Sequence, residues 1–224
     1  MPTIAVVGAG PGLGLAIART FGSHGFDVAL ISRNRAKLDG LVEQLAADGI
    51  TSAAFPADVR DRPALAQALE EAQVRFGRID VLEFSPVAKD GSTQLVRPTD
   101  ITPEDVQTEI EAQLYGAIAA TRAVLPAMRE AGFGTLLFTT GAGSVDPVPE
   151  VGNVNAAAAA LRNWAINLNK ELADSGVYAA HVGIDVSIDV SVIPGFPTAP
   201  ASKIAAAYWE LHNKREEGEF VFSV

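Results

Sequence analysis

Residues 4–14 read IAVVGAGPGLG, a short apolar strand that runs directly into a glycine-rich turn. The run from Ile4 to Val7 has the length of a buried strand, and the glycines after it suit a tight turn. Residues 15–19 then begin a helix, whose first N–H groups and positive dipole end favour a phosphate. The residues of this predicted phosphate-binding turn are Gly8, Gly10, Gly12, Leu13 and Gly14.

The glycine spacing is G-x-x-x-G-x-G rather than G-x-G-x-x-G, because Leu13 stands where the last glycine of the second motif falls. Glycines after a strand are also ordinary turn residues, so this stretch alone leaves open both nucleotide binding and a plain turn.

The composition narrows the functional class. The 224 residues suffice for one α/β domain with a large core, and we expect a single domain over residues 1–224. A net charge of −10 without a basic cluster argues against a nucleic-acid partner. The absence of cysteine excludes disulfides and thiolate metal sites. No basic leader region and no apolar stretch of membrane-spanning length is evident, so we expect a soluble cytoplasmic protein with no membrane partner.

Strand-like and helix-like segments alternate along the whole chain. Near-continuous apolar strands between helices predict a doubly wound parallel sheet of about seven strands, with helices on both faces. The predicted strands are residues 4–7, 26–31, 50–55, 79–84, 134–140, 177–184 and 219–224. The predicted helices begin at residue 15 and cover residues 35–47, 63–76, 103–129, 153–174 and 202–215.

Four stretches together resemble the short-chain dehydrogenase/reductase family. They are the glycine turn, residues 57–59 (ADV), residues 78–82 (RIDVL), and the pair formed by residues 134–140 (GTLLFTT) and 160–163 (ALRN). The resemblance implies a Rossmann-like sheet in the order 3-2-1-4-5-6-7, with the ligand crevice at the carboxyl ends of the strands. It also implies that Asp58 and Val59 contact the adenine of a dinucleotide cofactor.

The end of the second strand indicates which cofactor is preferred. NAD-binding folds of this type usually place an acidic residue there to bond the ribose hydroxyls. This chain has Ser32 and Arg33 instead, and a guanidinium binds the 2′-phosphate that a carboxylate repels. We therefore expect NADP(H) to be preferred over NAD(H). The alternative is that Arg33 is simply a solvated residue at the start of a helix.

The family's proton relay is altered at every position that the resemblance identifies. Val154 occupies the family's tyrosine position and Ala158 its lysine position, and neither side chain can hold or move a proton. Thr140 stands for the family's serine, and its hydroxyl can still orient a carbonyl. Gln113 stands for the family's asparagine.

Other side chains near the site have ordinary structural explanations. We expect Tyr115 to point away from the pocket, and Tyr178 and His181 to be satisfied positions in or beside a covered strand. Asn153 and Asn155 flank Val154 and are candidates for bonding a ribose or a substrate. Lys89 and Asp90 are expected in a solvated loop near the substrate entrance, with Glu83 upstream of them in the fourth predicted strand, and the acidic residues are too scattered for a metal site.

Three functions stay open at this point. The first is an NADP(H)-dependent oxidoreductase with a non-standard proton donor and an unknown small-molecule substrate. The second is a catalytically inactive dinucleotide-binding sensor or regulatory module. The third is a structural protein with an empty pocket, which the intact glycine turn and Asp58 argue against. Family members commonly pair two long helices, here residues 103–128 and 155–172, so we expect a homodimer or homotetramer.

Overall fold

The computed structural model describes residues 1–87, 94–191 and 194–224, and within these ranges seven parallel strands form one sheet. Their order is β3-β2-β1-β4-β5-β6-β9, which confirms the expected topology. The strands are β1 Thr3–Val7, β2 Asp27–Ser32, β3 Ser52–Pro56, β4 Val81–Phe84, β5 Gly134–Gly141, β6 Val177–Ile184 and β9 Glu219–Phe222. The helices are α1 Leu13–Ser23, α2 Arg35–Ala47, α3 Arg62–Phe76, α4 Pro103–Ile110, α5 Gly116–Ala131, α6 Gly152–Leu172 and α7 Ala201–Lys214.

Both faces of the sheet are covered, as the unbroken apolar strands predict. Successive side chains of a strand point to opposite faces. In β1, Ile4 and Val6 pack in the core formed with α1, α2 and α7. Ala5 and Val7 pack in the second core, formed with α3, α5 and α6. The carboxyl ends of β1, β4 and β5 therefore meet at one edge between the two helical layers, where ligands bind in this architecture.

The structure differs from the predicted elements in two places. The helix predicted over residues 103–129 is interrupted by a π-helical turn, Glu111–Tyr115, between α4 and α5. The loop predicted over residues 185–200 contains a short parallel pair, β7 Ser187–Ile188 and β8 Thr198–Ala199. Neither feature has a signature in local sequence periodicity, because both depend on which backbone groups find partners in the folded chain. Lys89 and Asp90 lie outside the described residues.

Candidate functional site

The glycine turn after β1 is shaped by a left-handed residue and a very close backbone approach. Gly8 has φ +100°, and the N–H groups of Gly8 and Ala9 both donate to the carbonyl oxygen of Ile31. A Cβ on Gly8 would lie 2.6 Å from the backbone nitrogen of Pro86 and the carbonyl carbon of Ser85. The turn thus packs between the ends of β2 and β4. Only glycine accepts both the positive φ and the lack of room for a Cβ at this position.

The next glycines open the turn toward solvent and the start of α1. A Cβ on Gly12 would have no heavy atom within 4 Å, so this position faces open space rather than protein. Helix α1 begins at Leu13 without a capping side chain and without an acidic residue in its first turn. At Gly14 a Cβ would lie 3.1 Å from the Cα of Ala9, so this glycine allows α1 to approach the turn closely. Gly10 completes the turn by accepting a hydrogen bond from the N–H of Leu15. This geometry presents uncapped helical N–H groups to an anion.

The end of β2 lies beside the loop that follows β3. Ser32 is the last residue of β2, and its carbonyl oxygen accepts from the N–H of Ala57. Asp58 accepts hydrogen bonds from the backbone and the guanidinium of Arg60, with an Nη2–Oδ2 distance of 3.1 Å. Burial raises the pKa of Asp58, but those hydrogen bonds and the charges of Arg60 and Arg33 outweigh it and hold the pKa below its usual value. The region between the end of β2 and the loop after β3 thus combines the guanidinium groups of Arg33 and Arg60 with the carboxylate of Asp58. Arg60 was not identified from the sequence.

Val59 packs against α5, in addition to its expected contact with adenine. A Cβ on Gly116, at the start of α5, would lie 3.1 Å from the carbonyl oxygen of Val59 and 3.0 Å from Cζ of Phe84. The loop after β3 and the end of β4 are therefore packed directly against α5.

The two positions at which the resemblance predicts replacement of the family's tyrosine and lysine lie one turn apart on α6. Val154 is half-buried and Ala158 is 3% exposed. Neither carries a group that can donate a proton or bind a ribose hydroxyl, so these positions leave an apolar strip where the family has its acid.

The hydroxyl of Thr140 already belongs to a buried network. Its Oγ1 lies 2.7 Å from Nε2 of His181 and 2.9 Å from Oγ of Ser144. Glu219 Oε1 lies 3.1 Å from Nδ1 of His181, so we assign the ring proton to Nδ1, and Nε2 then accepts from the hydroxyl of Thr140 or of Ser144. The hydroxyl of Thr140 is also within 2.9 Å of the carbonyl oxygen of Gly141. Burial lowers the pKa of His181 to about 4, although Glu219 acts in the opposite direction. Thr140 can orient a carbonyl only by giving up one of these bonds.

Gln113 lies within the π-helical turn and bonds within its own helix. Its Nε2 donates to Oε2 of Glu109 over 3.0 Å. Single π-helical turns are frequent at functional sites because they shift the side chains that follow them. Tyr115, at the end of the same turn, is 42% exposed.

Asn153 and Asn155 hold loops in this structure. The amide of Asn153 donates to the carbonyl oxygen of Gln94 and accepts from the N–H of Val96. Asn155 donates to the carbonyl oxygen of Val148. A cavity of about 470 Å³ lies beside this second loop, lined by Ser144, Asn155 and the first alanines of α6, away from the glycine turn. The uncapped start of α1 lies at the glycine turn and not at this cavity.

Glu83 is the acidic residue whose surroundings the sequence did not reveal. It lies within β4, inside the predicted fourth strand, and its side chain is completely buried. Its Oε2 accepts from the hydroxyl of Ser85 over 3.0 Å, and its Oε1 accepts from the hydroxyl of Thr139 over 2.9 Å. Burial raises the pKa of Glu83 to about 8, although these two hydrogen bonds act in the opposite direction. The signal available in the sequence was a lone acid at the position of a buried, core-facing strand residue.

The described residues include an open glycine turn that suits a phosphate-bearing ligand. In residues 1–87, 94–191 and 194–224, no three His, Asp or Glu side chains converge on a common point. Within the same ranges, no helix is both long and apolar enough to cross a bilayer. The open position at Gly12, the uncapped start of α1 and the absence of an acid at the end of β2 fit a phosphate-rich cofactor.

Comparison with known proteins identifies the family. A sequence model described as short chain dehydrogenase matches residues 2–186. The chain belongs to this family. Oxidoreductase UcpA of Escherichia coli is 30% identical over 204 residues, which cover 91% of this chain and 72% of UcpA.

Solved structures agree on the fold of this short-chain dehydrogenase. L-sorbose reductase from Gluconobacter frateurii, complexed with NADPH and L-sorbose, has a TM-score of 0.85 at 20% identity and covers 100% of this chain and 94% of its own. A 3-oxoacyl-(acyl-carrier protein) reductase from Brucella melitensis with bound NAD has a TM-score of 0.86 at 19% identity, with 98% and 88% covered. One of these structures holds NADPH and the other NAD, so the similarity in fold does not indicate which cofactor this chain prefers.

Proposed function

We propose that this short-chain dehydrogenase is an NADP(H)-dependent oxidoreductase that interconverts a small carbonyl compound and its alcohol, with a non-standard proton donor. The observation that carries the proposal is the glycine turn. Gly12 faces open space, and α1 begins there with neither a capping side chain nor an acid. A plain structural turn has no need for an uncapped helix end and an open backbone, whereas a pyrophosphate needs both.

Each part of the cofactor has residues suited to it. The turn and the first N–H groups of α1 would hold the pyrophosphate, and Asp58 and Val59 the adenine. Ser32 and Arg33 would hold the 2′-phosphate. Arg60 lies nearby, because it bonds to Asp58, the carboxylate that also feels the charge of Arg33. When bound, the reduced nicotinamide supplies a hydride to the carbonyl carbon. The protein must then orient the carbonyl and deliver a proton to its oxygen.

The preference for NADPH is tested by replacing Arg33 with alanine. We expect NADPH to raise the melting temperature of the wild type more than NADH does, because only a ligand bound to the folded state stabilises it. Loss of one charge-assisted bond costs about 1.5–3 kcal/mol, so Arg33→Ala should weaken NADPH binding about 10- to 100-fold and leave NADH binding unchanged. Isothermal titration calorimetry measures both affinities.

Arg35→Ala is the matched control for that experiment. Arg35 is an exposed arginine two residues further on, and it pairs with Asp39 on α2 over 2.7 Å. It should leave both affinities unchanged. Equal binding of NADPH and NADH by the wild type would contradict the assignment of the 2′-phosphate site, and binding of neither would contradict the proposed function.

Turnover separates the oxidoreductase from the sensor or regulatory module. The absence of an acid at Val154 and Ala158 favours the second function, so binding alone does not decide between them. We expect slow but measurable oxidation of NADPH with a panel of an aliphatic ketone, an aromatic aldehyde and 2,3-butanedione, followed by absorbance. Tight NADPH binding without turnover of any member would favour the sensor.

Self-association through α6 is tested by light scattering. One face of α6 carries the exposed residues Ala156, Ala159 and Asn163, whose small side chains let a second helix approach closely. We expect a mass two or four times the 23.4 kDa of the chain, because family members pair this helix across a two-fold axis. Ala159→Arg should lower the mass, and Ala46→Arg, an exposed alanine on α2, should not. A wild-type mass near 23.4 kDa at micromolar concentration would contradict the pairing.

A further inference from the structure

A carboxylate lies beside the place proposed for the 2′-phosphate. Ser32, the last residue of β2, is next to Pro56 in the strand register, and its carbonyl oxygen accepts from the N–H of Ala57. Asp58 follows directly, so its loop and the carboxyl end of β2 lie side by side. Burial raises the pKa of Asp58, but the bonds from Arg60 and the charges of Arg60 and Arg33 lower it overall. Arg33 is therefore within electrostatic reach of Asp58.

The charge of Asp58 opposes the binding of a 2′-phosphate. Because its pKa lies below its usual value, Asp58 is a carboxylate at pH 7. A carboxylate near the end of the second strand suits the ribose hydroxyls of NAD and repels the phosphate of NADP. A chain that keeps this acid for the adenine and still prefers NADPH must offset the negative charge.

Arg60 supplies a positive charge that engages both oxygens of this carboxylate. Oδ1 of Asp58 lies 3.3 Å from Nε of Arg60, and Oδ2 lies 3.1 Å from Nη2. A guanidinium that contacts both oxygens is a favourable geometry for an ion pair at a protein surface. The side chains of Arg60 and Asp58 are 41% and 30% exposed, so a ligand can approach the pair from solvent.

The carboxylate is oriented by backbone groups as well as by the guanidinium. The N–H of Arg60 donates to Oδ1 of Asp58 over 2.9 Å, which is a bond of the Asx-turn type that other residues at position 60 can also form. The N–H of Asp61 donates to the carbonyl oxygen of Asp58, and the side chain of Asp61 caps α3. Removal of the guanidinium therefore takes away a charge and leaves the carboxylate in place.

We propose that Arg60 determines cofactor specificity by offsetting the charge of Asp58, so that Asp58 contacts the adenine without repelling the 2′-phosphate. The inference rests on the proposed function, whose preference for NADPH it explains. Arg33 is the group that binds the phosphate, and Arg60 acts through Asp58.

The ratio of the NADPH and NADH affinities measures this effect. The two cofactors differ only in the 2′-phosphate, so a change in the adenine contact alters both affinities alike and cancels in the ratio. Isothermal titration calorimetry should show that Arg60→Ala lowers the wild-type ratio about fivefold, the effect of one unit charge about 4 Å away in water. The melting temperatures of the variants without cofactor are compared first.

A second substitution distinguishes an offset charge from a structural role. Asp58→Asn combined with Arg60→Ala removes both charges and should return the ratio to the wild-type value. Asp58→Asn alone leaves the charge of Arg60 unopposed and should raise the ratio above that of the wild type. If Arg60 only held the loop in shape, the second substitution would not restore the ratio.

Arg62→Ala is the matched control. Arg62 is an exposed arginine two residues further on, at the start of α3, and its guanidinium lies over the ring of Tyr115 at 5.7 Å from the centroid. Its removal changes the net charge by the same amount as Arg60→Ala and should leave the ratio unchanged.

The outcomes separate this inference from the proposed function. An unchanged ratio in Arg60→Ala, when Arg33→Ala lowers it, would overturn the role of Arg60 and leave the preference for NADPH in place. A ratio that stays low in the double variant would also overturn it, because Arg60 would then act on the phosphate directly or through the fold. Equal affinities of the wild type for NADPH and NADH would overturn both.

Discussion

Gly12→Leu is expected to abolish the rise in melting temperature that NADPH produces in the wild type. A Cβ at this position meets no protein atom within 4 Å, so a side chain there begins in open space. The melting temperature of Gly12→Leu without NADPH is compared with that of the wild type first. The leucine side chain fills the space in front of the uncapped start of α1, which is the path of the pyrophosphate. Thermal unfolding with and without NADPH measures the effect.

The control is a glycine with equally open surroundings elsewhere. Gly40→Leu lies within α2, and a Cβ there also has no neighbour within 4 Å. Its melting temperature without cofactor should stay close to that of the wild type, and its shift with NADPH should be unchanged. If Gly12→Leu still binds NADPH with wild-type affinity, the cofactor does not pass over the glycine turn.

The double variant Val154→Tyr with Ala158→Lys is expected to raise carbonyl reduction by about 10²–10⁴-fold, the usual contribution of a positioned general acid. The two residues are four apart on α6 and so lie on one face of the helix. The single variant Val154→Tyr should raise the rate of carbonyl reduction only slightly, because the ordinary tyrosine pKa near 10 is lowered here only by an ammonium group close by. Absorbance of NADPH with the most active carbonyl compound measures the rate.

Val154→Tyr with Ala158→Met is the matched control, because methionine adds a long side chain at the same buried position without a charge. Both double variants carry the cost of enlarging Ala158, which is 3% exposed, so their melting temperatures should be compared first. If the lysine variant binds NADPH and is no faster than the methionine variant, α6 does not present these positions to the substrate. Wild-type turnover of tens per second would likewise show that fast carbonyl reduction does not require a tyrosine and a lysine at positions 154 and 158.

A parallel sheet with both faces covered was predictable because it depends on local patterns, and the strand order was predictable from the resemblance to the family. Apolar runs such as residues 4–7 and 134–140 mark buried strands, and their alternation with helices permits few topologies. The glycine turn was equally predictable, because a strand followed by Gly8, Gly12 and Gly14 demands a tight turn beside a helix start. The π-helical turn at Gln113 was not, since it leaves no periodic signal.

The sequence by itself determined that a sheet of the dinucleotide-binding type forms, and the resemblance to the family predicts that Val154 and Ala158 stand at its tyrosine and lysine positions. Only the tertiary structure decided what surrounds the acid in β4. The register of β4 with β1 and β5 turns Glu83 into the core, and α7 brings Tyr208 to Thr139 from 69 residues away. Desolvation depends on everything packed around a carboxyl group, so the sequence could place Glu83 in a strand, but only the folded chain shows the burial that raises its pKa to about 8.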